Sequence, residues 1–183
     1  MFPYLSVILA TVKGALERGF GKLDVYTYIC IVKLEEALKS TRFRDPQQKA
    51  ALNCLYTAWW LKSIISRELK AYDLTLEQYN VLRILRGKHP EQMCVRDIAT
   101  RMMEKNSNVP RIIDRLVGKK WVKRATSAID KRETVNNLTP AGLQVLEQAT
   151  SKMDELFKGI LTLSDGEANQ LNDLLEKLRT SEH

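Results

Sequence analysis

The chain has 183 residues, 44% of them apolar and 28% charged. That is enough for one cored domain with a helical arm, and it argues against low-complexity, disordered and membrane-spanning classes. The 29 basic against 22 acidic residues, a net charge of +7, favour an anionic partner.

Three widely spaced cysteines (Cys30, Cys54, Cys94) and two histidines (His89, His183) make neither a disulfide framework nor a metal-ligand cluster. A reducing cytoplasmic setting is therefore expected, with no structural metal and no cofactor.

Residues 1–32 are read as an N-terminal extension. Met1 to Ala10 is mostly apolar, but no basic region precedes it and charged residues follow at Lys13, Glu17 and Arg18, which disfavours a secretory signal. Gly14, Gly19 and Gly21 weaken a continuous helix. A loosely ordered extension, or codons upstream of the true start, is favoured over an arm packed on a dimer.

Residues 33–183 read as one folded body. Lys33 to Ser40 predicts a short helix, broken before Asp45-Pro46. A long helix follows over about 46–72, with Leu52, Leu55, Tyr56, Trp59, Ile64, Ile65 and Leu69 on or near one face and Trp60 widening it. So broad an apolar face suits a helix with more than one neighbour, a partner subunit among them. Thr75 and Gln78 form a candidate capping box for the next helix, which Gly87 and Pro90 end.

Val95, Ile98, Ala99, Met102 and Met103 then mark a short amphipathic helix. After the polar turn Glu104 to Ser107, a second is marked by Val109, Ile112, Ile113 and Leu116. Asn106 or Ser107 is the expected cap, with Pro110 in or just past the first turn. Trp121 to Thr126 and Glu133 to Leu138 read as strands around a charged turn. Thr139 and Pro140 open another helix, and Ser164 with Glu167 opens the last. The order is helix-turn-helix then β-ribbon. The expected fold is mainly α with a small β-wing: a winged helix-turn-helix over about 74–139, plus a helical dimerisation module from about 46–72 and 140–180.

From Cys94 to Arg132 there are eleven basic and four acidic residues, leaving the rest of the chain balanced at 18 against 18. The whole excess thus falls on the helix-turn-helix and ribbon, as expected of a phosphate-binding face rather than a merely solvated surface. Ser107, Asn108, Arg111 and Arg115 are the candidates for the major groove, since Arg pairs with guanine and Asn with adenine in bidentate fashion. Arg132 is the candidate for the minor groove. Lys105, Lys119, Lys120, Lys123 and Lys131 are expected at phosphates.

These residues resemble the MarR (multiple antibiotic resistance regulator) family of winged-helix transcriptional regulators. The likeness is carried by Leu74 to Leu82, the Asn106 to Leu116 helix, Trp121-Val122-Lys123-Arg124, and Asp130-Lys131-Arg132 leading to Leu138-Thr139-Pro140-Ala141-Gly142. It runs from about Pro46 to Leu178. The resemblance implies a cytoplasmic homodimer on double-stranded DNA with a palindromic operator, a sequence-specific regulator of the ligand-responsive repressor type. It also implies that Asp130 orients Arg132. A small aromatic or amphipathic ligand is implied as well, for which Tyr56, Trp59, Trp60 and Tyr79 are candidate pocket residues, although such aromatics more often belong to a core.

The family usually has a small polar residue where Pro110 stands and glycine where Lys120 stands. Two alternatives remain beside the main reading. One is a redox-sensing regulator using Cys54, although a buried inert thiol is favoured. The other is a winged-helix protein-interaction module without DNA binding. An enzyme is not expected: the chain has no Ser-His-Asp set, no phosphate-binding glycine loop and no metal triad.

Overall fold

The structure is a computed structural model and describes residues 33–127 and 130–179; the reading of residues 1–32 as an extension lies outside these. The described elements are α1 (Leu34–Leu38), α2 (Pro46–Leu69) with a 3-10 turn (Lys70–Tyr72), α3 (Leu76–Arg86), β1 (Met93–Cys94) and α4 (Val95–Arg101). They continue with α5 (Val109–Gly118), β2 (Val122–Thr126), β3 (Thr134–Leu138), α6 (Pro140–Ile160) and α7 (Asp165–Arg179). The chain divides into two compact units, with the boundary inside α2 between Ala58 and Trp59.

In the first unit α1 carries Lys39 as a left-handed C-cap, and Glu35 of α1 pairs with Lys49 of α2. That ion pair holds the Glu35 carboxyl below its ordinary range, chiefly through the hydrogen bond from Lys49.

The second unit is built on α3. Thr75 Oγ1 accepts from the Gln78 N–H and Gln78 Oε1 accepts from the Thr75 N–H, so the expected capping box is present. Tyr79, Val81, Leu82 and Leu85 then turn inward. They meet Ile98 of α4, Ile113 and Leu116 of α5, and Leu146, Ala149 and Met153 of α6 in one core. Burial of each Val, Leu, Ile or Met among them contributes about 1.5–3 kcal/mol before entropy is subtracted.

The sheet is antiparallel in the order β1-β3-β2, with Val122 opposite Leu138 and Thr126 opposite Thr134. The two wing strands fall where the sequence placed them. The two-residue β1, pairing Met93 with Asn136, was not expected. A pair of residues has no alternation to read, and only the arrival of β3 makes it a strand. Asn136 and Asn137 sit buried beside it, donating to the carbonyls of Met93 and Pro90.

Other boundaries moved. The helix read as running to Met103 stops at Arg101: Met102 stays buried, and Met103 is 83% exposed. No residue of α7 is buried, and Leu171, Leu174 and Leu178 are exposed. No described helix is long and apolar enough to cross a membrane.

Candidate nucleic-acid interface

Helix α5 is the second helix of the helix-turn-helix. Val109, Ile113 and Leu116 bury one side, which leaves Asn108, Pro110, Arg111, Asp114 and Arg115 exposed. Its cap is neither Asn106 nor Ser107 but Asn108, whose Oδ1 accepts from the Arg111 N–H at 3.2 Å. The start is thus later than the sequence suggested. Ser107 instead donates its N–H to the Glu104 carbonyl, closing the turn before the helix. Its Oγ is buried with no hydrogen-bond partner among the described residues, although Ser107 lines the same cleft as Arg111 and Arg115. Asn108 is exposed, but its oxygen is committed to the cap. Its amide donors and one oxygen lone pair remain, but the cap bond fixes the direction in which they can point.

The structure sorts the basic residues by whether another protein group already holds them. Arg124 of β2 donates to Asp114 of α5 at 2.6 Å, tying the wing to the second helix. Arg96 of α4 donates to Glu133 at the foot of β3 at 2.7 Å, tying the wing to the first. The carboxylate hydrogen bond and charge of Glu133 raise the Arg96 pKa above its ordinary value. Neither pair had a signal in the sequence, because each joins residues that only the tertiary fold brings together.

Lys119 departs from expectation. Its ammonium pairs with the Asp73 carboxylate at 2.9 Å, donates to the Asp73 carbonyl and lies 4.7 Å from the Trp121 ring centroid. A half-buried ammonium with these partners has its donors spent on the fold. Lys105 donates to the Thr100 carbonyl at 2.7 Å and remains exposed.

Arg111 and Arg115, by contrast, have no side-chain partner among the described residues. Both are exposed and line an open cleft of ≈ 270 Å³ with Thr75, Glu77, Glu104 and Ile112. Lys120, Lys123, Lys131 and Arg132 are exposed along the wing and its approach. Asp130 braces Arg132 through the backbone, its Oδ1 accepting from the Arg132 N–H at 2.9 Å, while the Asp130 N–H donates to Ser127 Oγ. The guanidinium of Arg132 is exposed and has no side-chain partner among the described residues. Lys120, where the resemblance expects glycine, takes a left-handed φ of 61°.

One more link runs into the turn before α5: Lys62 of α2 pairs with Glu104. The hydrogen bond and charge of Glu104 raise the Lys62 pKa.

The candidate pocket aromatics do not share one role. Tyr79 is core, 6% exposed, with its hydroxyl 3.2 Å from Thr150 Oγ1 on α6. Trp59 is 62% exposed and Trp60 is half-buried, while Tyr56 is half-buried in the first unit. Cys54 is half-buried on α2. Among the described residues no group of His, Cys, Asp and Glu could hold a metal ion.

Comparison with known proteins converges on the same elements. The MarR family model matches residues 74–134, from the N-cap region of α3 to β3. The HTH-type transcriptional regulator YpoP of Bacillus subtilis (strain 168), itself described as uncharacterized, is 30% identical over 112 residues; the match covers 61% of this chain and 78% of YpoP. S. aureus MepR in its DNA complex superposes with a TM-score of 0.66 at 25% identity, over 73% of this chain and 98% of MepR. A mutant of E. coli MarR complexed with operator DNA has a TM-score of 0.60 at 25% identity, over 69% of this chain and 91% of that one. Family match, relative and fold agree: this chain belongs to the MarR family of winged-helix transcription regulators, which are not enzymes.

Proposed function

We propose that the chain acts as a homodimer that binds double-stranded DNA sequence-specifically and represses transcription by occupying a palindromic operator. The observation that carries this reading is the set of unpartnered cations on one helix and one ribbon. Arg111 and Arg115 lie on α5, and Lys123, Lys131 and Arg132 lie on the wing, exposed and without side-chain partners among the described residues. Arg111 and Arg115 would donate to base edges in the major groove, Arg132 would enter the minor groove, and the lysines would meet phosphates. The DNA complexes of MepR and of the E. coli MarR mutant support the same use of this fold.

The homodimer is supported by α7, a helix of 15 residues with none buried and with Leu171, Leu174 and Leu178 exposed. An apolar stripe of that kind is stable in water when a partner covers it. In this reading two subunits present two α5 helices to successive half-sites. A small amphipathic ligand would relieve repression by favouring a dimer whose half-site spacing no longer matches.

The test is fluorescence anisotropy on a mixed-sequence duplex over a salt series. A linear fall of log affinity with log salt is expected, its slope counting the phosphates contacted. Absence of binding at low salt would remove the DNA reading and favour a protein-interaction module. Sedimentation equilibrium tests the dimer, which a monomer at micromolar concentration would exclude.

A further inference from the structure

We propose that Pro110 is a specificity-determining residue that reads the C5-methyl group of a thymine. The proposal rests on the DNA-binding reading above and adds a base to it.

Pro110 is the second residue of α5 and is exposed. Its ring occupies the leading turn, the part of a second helix that faces base edges in helix-turn-helix proteins. Of the polar side chains around it, Ser107 Oγ is buried and Asp114, one turn on, is held by Arg124, while Asn108 Oδ1 caps the helix and keeps its amide exposed. The Arg111 guanidinium, without a side-chain partner among the described residues, and the Asn108 amide are the neighbours that can meet a polar edge, and Pro110 is the apolar group between them.

The chemistry narrows what such a ring can recognise. Proline has no side-chain donor or acceptor, and at this helix position its missing N–H forfeits no intrahelical bond. The thymine methyl is the apolar feature of the major-groove edge. A pyrrolidine against a cytosine amino group or an adenine N7 would strip water from a polar atom and return nothing. Against a methyl it buries apolar surface on both sides. The ring is fixed by the backbone, so ordering it on binding costs almost no side-chain entropy.

The experiment is a methyl scan. The full-length protein selects a duplex from a random pool, and each symmetric pair of thymines in that duplex is then replaced by uracil, which removes only the methyl. Dissociation constants are measured by anisotropy at fixed salt for the wild type, for Pro110→Ser and for Pro110→Ala, with circular dichroism confirming that each variant folds.

We expect one thymine pair at which uracil weakens the wild type by about four-fold per half-site, the cost of one unburied methyl. At that pair Pro110→Ser should respond by less than about two-fold, and Pro110→Ala, which keeps a methyl, should fall between. A flat scan with a selected duplex overturns the assignment and leaves the DNA-binding reading standing. So does a sensitive pair that stays equally sensitive in Pro110→Ser. Failure to select any duplex overturns both.

Discussion

A Cβ placed on Gly142 would lie 2.0 Å from the carbonyl oxygen of Trp121. The first turn of α6 therefore rests directly on the backbone leading into β2. The same carbonyl accepts from the Thr139 N–H at 3.0 Å, and Thr139 Oγ1 donates to the Lys120 carbonyl and accepts from the Gly142 N–H. Cap, glycine and strand form one joint, which locates the base of the wing against the helix that follows it.

Gly142→Ala should accordingly be among the costliest small substitutions. The obstacle is backbone, not a side chain that can rotate away, so the joint must open. A loss of about 2–4 kcal/mol is expected, read as a lower urea midpoint. A change under about 0.5 kcal/mol would mean that α6 shifts freely against Trp121.

Lys120→Gly should do the opposite. A left-handed φ of 61° costs a lysine about 1–2 kcal/mol, and glycine's freer unfolded chain returns part of that, leaving a net gain of about 0.5–1 kcal/mol. If Lys120 also meets a phosphate, the salt slope of DNA binding falls by about one unit in the same variant. Stability and slope are separate measurements, so either role can fail alone.

Asp114→Asn releases Arg124 from its partner. Both side chains are substantially exposed, so the pair contributes little stability, about 0–1 kcal/mol. On DNA the variant removes a negative charge from the face and frees a guanidinium. Non-specific affinity should rise at low salt, while discrimination between operator and random duplex should narrow as the wing loses its tie to α5. Unchanged discrimination would show that the tie does not position the wing.

Arg111→Ala and Lys123→Ala separate reading from holding. Arg111→Ala should cost about 1–3 kcal/mol on the operator and relax preference at one base pair. Lys123→Ala should weaken all duplexes alike and reduce the salt slope by about one. A uniform effect from Arg111→Ala would place it on phosphate.

Glu167 should make the start of α7 sensitive to acid. Its carboxylate accepts from the Ser164 N–H at 2.9 Å and hydroxyl at 2.7 Å, and these bonds, the backbone one foremost, hold its pKa below the ordinary glutamate value. A lowered folded pKa means that this contribution is complete above the unfolded value and is lost as pH falls through the folded one. Hydrogen exchange at the Ala168 amide, which donates to the Ser164 carbonyl, should lose protection on acidification below about pH 4.3. In Glu167→Gln that dependence should disappear. Identical profiles in both proteins would exclude Glu167 as its source.

The features legible from residue order alone are local. The Thr75–Gln78 and Ser164–Glu167 capping boxes, the apolar period of α5 and the two ribbon strands all arise between residues a few positions apart, where backbone geometry and side-chain reach suffice. The confinement of positive charge to one stretch was legible for the same reason. Which of those charges are held and which are not depends on packing between distant segments. Arg124 and Lys119 look equivalent to Arg111 and Lys123 in a charge count. Packing, however, sets Asp114 beside the first and Asp73 with Trp121 beside the second. The cap is Asn108 rather than Asn106 or Ser107, whose hydroxyl is buried, and β1 exists only where β3 passes. Those outcomes depend on contacts between distant segments, and hydrophobic period and residue propensity do not encode them.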